Sequence, residues 1–123
     1  MNMIIKSNQH KEFYTDEKCF IDEIFNQKDY GPFSIAQARV EPGVTTVLHS
    51  VSDTDEVYYI LSGSGEMEIG GRIIGTVNEK DLVFIPRNTA QRIKNLTDKD
   101  LVFLCICAPR FDPSNYKRNE PGD

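Results

Sequence analysis

GVTTVLHSVSDTDEVYYILSG, residues 43–63, is the stretch that decides the fold. It holds two runs of strand-forming residues, 44–49 and 56–61, and the first begins with four β-branched side chains. Residues 50–55 lie between them and are polar, with Asp53 and Asp55 among them, so they predict a loop. A strand, a loop and a return strand would bring His49 and Glu56 together at one rim of a barrel.

Short predicted strands separated by glycine and proline turns continue on both sides of this stretch. The run at residues 33–40 ends at Glu41-Pro42-Gly43, a strong turn signal, and Pro86 stops a later run. The further predicted strands cover residues 19–25, 33–40, 66–69, 72–77, 81–85, 91–96 and 101–108. Regular short strands of this kind predict an all-β protein, either a sandwich or a closed barrel. The tail from Pro109 onward is expected to wrap the surface.

Length and charge limit the classes of protein that the chain can belong to. Its 123 residues suit one domain, 1–123, with 39% apolar and 27% charged residues. A net charge of -5 makes nucleic acid and anionic membrane surfaces unfavourable partners. No apolar run is long enough to span a bilayer, and the apolar stretch near Met1 is too short for a secretory signal. We therefore expect a cytoplasmic protein.

The three cysteines are at positions 19, 105 and 107. Cys105 and Cys107 are two residues apart, so in a strand their side chains point to the same face. This spacing is not a CxxC motif, and the count is odd. We predict that the cysteines are small core residues without a redox or metal role.

Four residues of the deciding stretch match a known family pattern. Gly43, His49, Glu56 and Gly63 stand in the register of the first cupin motif: glycine, five residues, histidine, then glutamate, six residues, glycine. A second motif region runs from Lys80 to Pro86 and is followed by Asn88, Gln91 and Asn95. Residues 31–109 therefore resemble the small single-domain cupins, among them proteins labelled mannose-6-phosphate-isomerase-like or oxalate-decarboxylase-like. The resemblance implies a jelly-roll barrel, the cupin double-stranded β-helix.

The resemblance also implies a site, and the chain departs from the family there. Cupins with a complete site hold a metal with three histidines and one glutamate, whereas this chain offers His49, Val51, Glu56 and Gln91 at those positions. Valine cannot ligate, and a glutamine carbonyl is a weak ligand for Fe, Ni or Cu. The implied metal ligands are thus His49, Glu56 and Gln91, for a divalent ion such as Mn, Fe, Zn or Ni. Alternatively, the Gln91 amide hydrogen-bonds both Glu56 and His49 and holds a polar cluster together without a metal.

Strand alternation predicts which other side chains face the cavity. If His49 points inward, Thr45 does so as well, and if Glu56 points inward, Tyr58 follows. An inward Gln91 likewise brings Asn95 inward. We therefore predict Thr45, Tyr58, Gln91 and Asn95 as substrate-binding residues, with His49 and Glu56 as catalytic residues.

Three functions remain open at this point. A metal-dependent enzyme would use the metal to polarise a carbonyl group or hold an enolate. A metal-independent sugar isomerase or epimerase would use His49 as base, with Arg39 as the available cavity arginine for an anionic substrate. A non-catalytic barrel would bind a small molecule only. In each case the partner is a small molecule.

The apolar strand at residues 101–108 also bears on assembly. It carries apolar side chains on both faces, and such a strand needs cover on both sides. In a chain of this size the second cover can come from another subunit. We therefore expect a homodimer.

Overall fold

The computed structural model describes residues 3–6 and 11–120, and these form an all-β structure. Eleven strands occur in the described ranges: β1 Glu12–Tyr14, β2 Phe20–Phe25, β3 Ser34–Val40, β4 His49–Val51, β5 Asp55–Ser62, β6 Gly65–Ile69, β7 Arg72–Val77, β8 Leu82–Ile85, β9 Gln91–Asn95, β10 Leu101–Ala108 and β11 Tyr116–Arg118. The prediction of an all-β fold built from short strands is confirmed. None of the described segments contains a helix long and apolar enough to cross a membrane.

The strands form two antiparallel sheets. One sheet has the order β1-β2-β3-β10-β5-β8, and the other has the order β11-β4-β9-β6-β7. Inward-facing side chains of both sheets, such as Ile60, Met67, Ile93 and Leu101, are fully buried and form one core. This is the facing-sheet arrangement of a jelly roll.

The register of the strands positions the polar residues. Glu56 on β5 lies opposite Cys107 on β10 in the first sheet, and His49 on β4 lies opposite Gln91 on β9 in the second. Along β5 burial alternates, so that Glu56, Tyr58 and Ile60 point inward. The interior therefore receives polar groups from both sheets at the same end of the barrel.

Two local predictions are corrected by the structure. Residues 44–49 are not a continuous strand, because only an isolated bridge between Thr45 and Lys94 precedes β4 at His49. The backbone of Thr46 instead donates to the Ile93 carbonyl, which interrupts the alternation. The tail does more than wrap the surface, since Tyr116–Arg118 pairs with β4 and extends the second sheet.

Candidate functional site

A cavity of about 250 Å³ opens between the two sheets. Most of its wall is apolar, with Ile21, Ala38 and Phe103 among the lining residues. Its polar lining includes Glu17, His49, Glu56 and Tyr58. A concave, largely apolar space with a few converging polar groups is the usual form of a small-molecule site.

Gln91 is the centre of the polar groups. Its side chain is fully buried, and its Nε2 lies 2.8 Å from Glu56 Oε1 and 3.0 Å from His49 Nε2. Its Oε1 accepts a hydrogen bond of 2.8 Å from the Tyr58 hydroxyl. Because Glu56 and Tyr58 belong to the other sheet, the amide joins the two sheets across the interior. We call Gln91, His49, Glu56 and Tyr58 the Gln91 cluster.

The two ring nitrogens of His49 have different partners. Nδ1 lies 2.8 Å from the Val47 carbonyl oxygen, and a carbonyl can only accept, so Nδ1 carries a proton. In the neutral imidazole Nε2 is then an acceptor, which suits the hydrogen bond donated by the Gln91 amide. The ring also stacks on Tyr116 of β11, with ring centroids 5.1 Å apart. The position and tautomer of His49 are therefore fixed from three sides.

Glu17 completes the surroundings of His49. Its Oε2 lies 3.3 Å from His49 Nε2, and about a quarter of its side chain remains exposed. Loss of solvent around Glu17 raises the pKa of its carboxyl group above the usual range, and the charge of Glu56 adds to this, while His49 opposes it. A protonated Glu17 carboxyl group would compete with the Gln91 amide for the single Nε2 lone pair. Glu17 and His49 thus lie side by side on the cavity wall.

Glu56 uses its two oxygens for different partners. Oε1 accepts from Gln91, whereas Oε2 lies 2.9 Å from Cys105 Sγ and 3.7 Å from Cys107 Sγ. The prediction of a shared face for Cys105 and Cys107 is confirmed. The prediction that the cysteines are core residues agrees with the structure, since Cys107 is buried and Cys105 packs against the core, but both also contact the Glu56 carboxylate. We call Glu56, Cys105 and Cys107 the thiol cluster.

Tyr58 is the hydroxyl donor of the site. Burial raises the pKa of its phenol well above the usual range, and the nearby charge of Glu56 acts in the same direction. Its ring packs on Phe103 with centroids 4.4 Å apart. Tyr58 lines the cavity, and its hydroxyl is already engaged in the hydrogen bond that it donates to Gln91.

Three of the four predicted substrate-binding residues, Thr45, Gln91 and Asn95, are absent from the cavity lining, and Gln91 reaches it only through its hydrogen-bond partners. Asn95 is fully buried at the end of β9, where its amide nitrogen donates to the Val40 and Lys99 carbonyls and its oxygen accepts from Thr97. Thr45 is absent from the cavity lining, and Thr46 lines it instead. The parity argument failed for Thr45 because it assumed one continuous strand up to His49. Asn95 does point inward, as strand alternation predicts, but it does not line the cavity.

Arg39, the arginine that the sequence offered to an anionic substrate, lies on the outside of the barrel. Its guanidinium pairs with Glu12 at 2.7 Å and Asp100 at 3.2 Å and covers the Phe20 ring. Among the described residues that line the cavity there is no lysine or arginine. The cavity wall carries Glu17, Glu23 and Glu56, so it does not favour an anion.

The predicted metal ligands are adjacent, but the Gln91 amide lies between the other two. His49 and Glu56 both face its nitrogen, and an amide NH₂ group cannot ligate. A metal on His49, Glu56 and Gln91 would require the amide to turn over, with Oε1 inward and Nε2 toward Tyr58. Without a cation, that orientation would place the amide oxygen against two acceptors. The arrangement seen here therefore does not fit a metal held by these three residues.

Sequence reasoning missed Glu17, Tyr116 and the thiol cluster. Glu17 precedes β2 in a turn, and no spacing pattern connects it with His49, which is brought to it by packing alone. Tyr116 lies in the tail, which carries no strand pattern. The sequence did carry a signal for the thiol cluster. Cys105 and Cys107 were predicted to share one face of a strand, and Glu56 belongs to the motif, so a cluster of the three could have been proposed.

The facing sheets, the cavity between them and the polar cluster at one end define a small-molecule-binding β-barrel. The family model described as "Cupin domain" matches residues 36–107, more than half of the chain. The chain therefore belongs to the cupin domain family. A curated relative, an uncharacterised protein of Methanocaldococcus jannaschii, is 31% identical over 103 residues, 82% of each chain.

Several solved structures share the fold. A Streptomyces PAC13 variant with uridine has a TM-score of 0.81 and 14% identity, covering 98% of this chain and 92% of that chain. KdgF of Halomonas sp. has a TM-score of 0.78 and 15% identity, with 93% and 99% covered. Oxalate decarboxylase of Bacillus subtilis has a TM-score of 0.81 and 20% identity, covering 96% of this chain and 32% of that one. At these identities the likeness concerns the fold alone.

Proposed function

We propose that the barrel binds a small neutral molecule and transfers a proton to or from it through the Glu17–His49 pair. The observation that carries this proposal is the 3.3 Å separation of Glu17 Oε2 and His49 Nε2 on the cavity wall. A pair of titratable groups that faces a ligand space is the arrangement that general acid–base catalysis requires. Isomerases and lyases that work without a metal use such a pair.

The hydrogen bonds around His49 indicate how the pair would work. Gln91 donates to Nε2 and Nδ1 donates to Val47, so the ring is held as a neutral base. In this proposal Glu17 is the acid of the pair. A ligand in the cavity would exchange a proton with this pair, and Glu56 would act by orienting Gln91.

The cavity wall defines the class of ligand. Its carboxyl groups and lack of lysine or arginine among the described lining residues disfavour phosphates and nucleotide sugars. Its largely apolar wall favours a compact molecule with a carbonyl or hydroxyl group at one end. This argues against the sugar-nucleotide form of the metal-independent mechanism.

A purely binding role is the second candidate. It is favoured by the hydrogen bonds within the Gln91 cluster, which satisfy both amide hydrogens and the amide oxygen of Gln91 without a ligand. Such a cluster stabilises the barrel whether or not chemistry occurs beside it. The metal-dependent enzyme on His49, Glu56 and Gln91 stays a prediction that requires the amide to turn over.

A deuterium-exchange experiment separates these roles before any natural substrate is known. Neutral carbonyl and hydroxy compounds that raise the melting temperature would be incubated with the protein in D₂O, and their C–H signals followed by NMR. The wild-type protein is expected to catalyse exchange or conversion of at least one bound compound. Glu17→Gln and His49→Gln are expected to lower that rate by about 100-fold or more, the usual contribution of an acid–base group.

Glu68→Gln is the matched control, because Glu68 pairs with Arg92 and does not line the cavity. It should exchange at the wild-type rate. If compounds bind to the wild-type protein but no exchange occurs, the purely binding role is favoured. Equal rates in wild type, Glu17→Gln and His49→Gln would exclude proton transfer by this pair.

We also propose that the protein is a homodimer, formed through the outer face of the first sheet. Strand register forms two adjacent rows across β8, β5 and β10 on this face. One row contains Leu82, Tyr59 and Leu104, and the other contains Phe84, Val57 and Ile106. We call these six residues the outer patch. Leu82 and Phe84 are 62% and 56% exposed on the edge strand β8. An apolar face next to an open edge is self-complementary in a second copy across a twofold axis.

Leu82→Lys with Phe84→Lys is expected to weaken dimerisation by at least about 100-fold, since each buried apolar side chain contributes about 1.5–3 kcal/mol. Sedimentation equilibrium would measure this change. The control is Ile73→Lys with Ile74→Lys, which alters two equally exposed residues on β7 of the other sheet. A monomeric wild type, or loss of the dimer only in the control variant, would contradict the proposed interface.

A further inference from the structure

We propose that the thiol cluster is a binding site for one thiophilic divalent metal ion, of which Zn²⁺ is the first candidate. The Glu56 carboxylate and the Cys105 and Cys107 thiols offer ligand atoms that all lie within 4.8 Å of one another. This site is separate from the three residues of the cupin pattern discussed above, and it shares only Glu56 with them. It does not depend on the proton-transfer proposal.

Strand register builds the cluster. Cys107 lies directly opposite Glu56 across the β5–β10 pair, and Cys105 lies opposite Tyr58, one step along the same face. Both sulfurs therefore reach the same carboxylate oxygen, Oε2. Two sulfurs on one tetrahedral zinc ion lie about 3.8 Å apart, given Zn–S bonds of about 2.3 Å. Closing the cluster onto an ion thus needs movement of about an ångström or less.

The division of the Glu56 oxygens leaves one of them available to a metal. Oε1 accepts a hydrogen bond from Gln91, whereas Oε2 faces the two thiols. A metal on Oε2 would replace the thiol hydrogens and keep the hydrogen bond to Gln91. The Gln91 cluster and the thiol cluster can therefore exist together around one carboxylate.

Charge balance favours a divalent ion in this buried place. Contact with Cys107, burial and the nearby Glu56 charge raise the pKa of Cys105 well above the usual range, so this buried place disfavours a thiolate that has no cation beside it. Binding then exchanges two thiol protons for one M²⁺ ion and releases both protons to solvent. The net charge of the cluster is unchanged by this exchange, so no further charge is buried. Thiolate ligands select soft or borderline ions such as Zn²⁺ over Mg²⁺ or Ca²⁺.

The position of the cluster gives such an ion access to a ligand. Glu56, Cys105 and Cys107 all line the cavity. Three protein ligands leave the fourth tetrahedral position toward that space, and this is the pattern of zinc sites that bind water or substrate rather than purely structural ones. An ion here would polarise a carbonyl or hydroxyl oxygen of a cavity ligand.

Cadmium is the probe for the test, because it binds as zinc does and its bonds to thiolates absorb in the ultraviolet. Reduced protein without a histidine tag would be titrated with Cd²⁺, and with Zn²⁺ in a calorimeter in two buffers of different ionisation enthalpy. We expect one ion per chain and release of about two protons. Cadmium NMR of the wild type should report two sulfur ligands.

Cys105→Ser and Cys107→Ser are each expected to lose much of the charge-transfer absorption and to weaken binding by at least about 100-fold. Loss of groups that only support a ligand already costs about 10–100-fold, and these residues are the ligands themselves. Cys19→Ser is the matched control, since Cys19 also lines the cavity but contacts Thr15 instead. It should bind as the wild type does.

Three outcomes would overturn the site. These are no binding by the folded wild type, equal binding by Cys105→Ser and Cys107→Ser, or loss of binding only in Cys19→Ser. If a serine variant fails to fold, the number of sulfur ligands in the wild-type cadmium spectrum decides alone. The deuterium-exchange rates of metal-free protein test proton transfer separately, so either proposal can fail without the other.

Discussion

Gln91→Leu is expected to lower the free energy of unfolding by about 4 kcal/mol, a large part of the 5–15 kcal/mol that typical domains possess. Leucine fills nearly the same volume but has no hydrogen-bonding groups. The change would leave the Tyr58 hydroxyl, His49 Nε2 and Glu56 Oε1 without their shared partner inside the barrel. Each buried polar group left unpaired costs about 1–3 kcal/mol. Urea denaturation followed by circular dichroism would measure the loss.

Gln37→Leu is the matched control for this experiment. Gln37 is the same residue type in a strand, but it lies on the outer face of β3 and is only half-buried. A surface substitution of this kind is expected to change stability by no more than about 0.5 kcal/mol. If Gln91→Leu were as stable as Gln37→Leu, the amide would not be the link between the two sheets.

Gly63→Ala is expected to cost about 3 kcal/mol for two separate reasons. The backbone of Gly63 has φ +88°, a conformation that costs other residues about 1–2 kcal/mol. A Cβ atom there would also lie 2.9 Å from the Asp100 carbonyl oxygen and 3.0 Å from Leu101 Cα. Both are backbone atoms of the neighbouring strand connection, so they cannot move aside as a side chain could. Thermal and urea unfolding would report the loss.

Gly71→Ala separates the two reasons. Gly71 has a similar φ of +80°, but a Cβ atom there would meet nothing within 4 Å. Its expected cost is therefore only the conformational part, about 1 kcal/mol. If Gly63→Ala and Gly71→Ala lowered the free energy of unfolding equally, the backbone at Asp100 would have to shift enough to accommodate the added Cβ atom.

The fold could be predicted from the sequence because its signals are local. Turns at Gly43 and Gly63 and the burial alternation along β5 can be read from neighbouring residues, and the structure has both. Residues 44–49 were misread because their β-branched composition predicts a strand, whereas hydrogen bonds of Thr46 to Ile93, distant in sequence, decide the outcome. Composition indicates the local conformational preference of a segment, but it does not indicate which distant residues the segment will hydrogen-bond.

The site was predictable only where it follows the cupin pattern. His49, Glu56 and Gln91 were expected to meet, and the structure shows both hydrogen bonds that the alternative account of the Gln91 amide required. Glu17 was not predictable, because a turn that precedes β2 reaches His49 only through tertiary packing. That His49 is a catalytic residue stays a prediction, which the deuterium-exchange experiment tests, and the same role for Glu56 stays a prediction as well.

The short strand β11 has a consequence for how the interior meets solvent. Its three residues pair only with β4, yet Tyr116 supplies the ring that covers His49. Edge strands of this length are the parts of a sheet that open most readily by local unfolding. Each such opening would uncover the imidazole while the rest of the barrel stays closed. The stability of the β4–β11 pairing would therefore set how often solvent reaches His49.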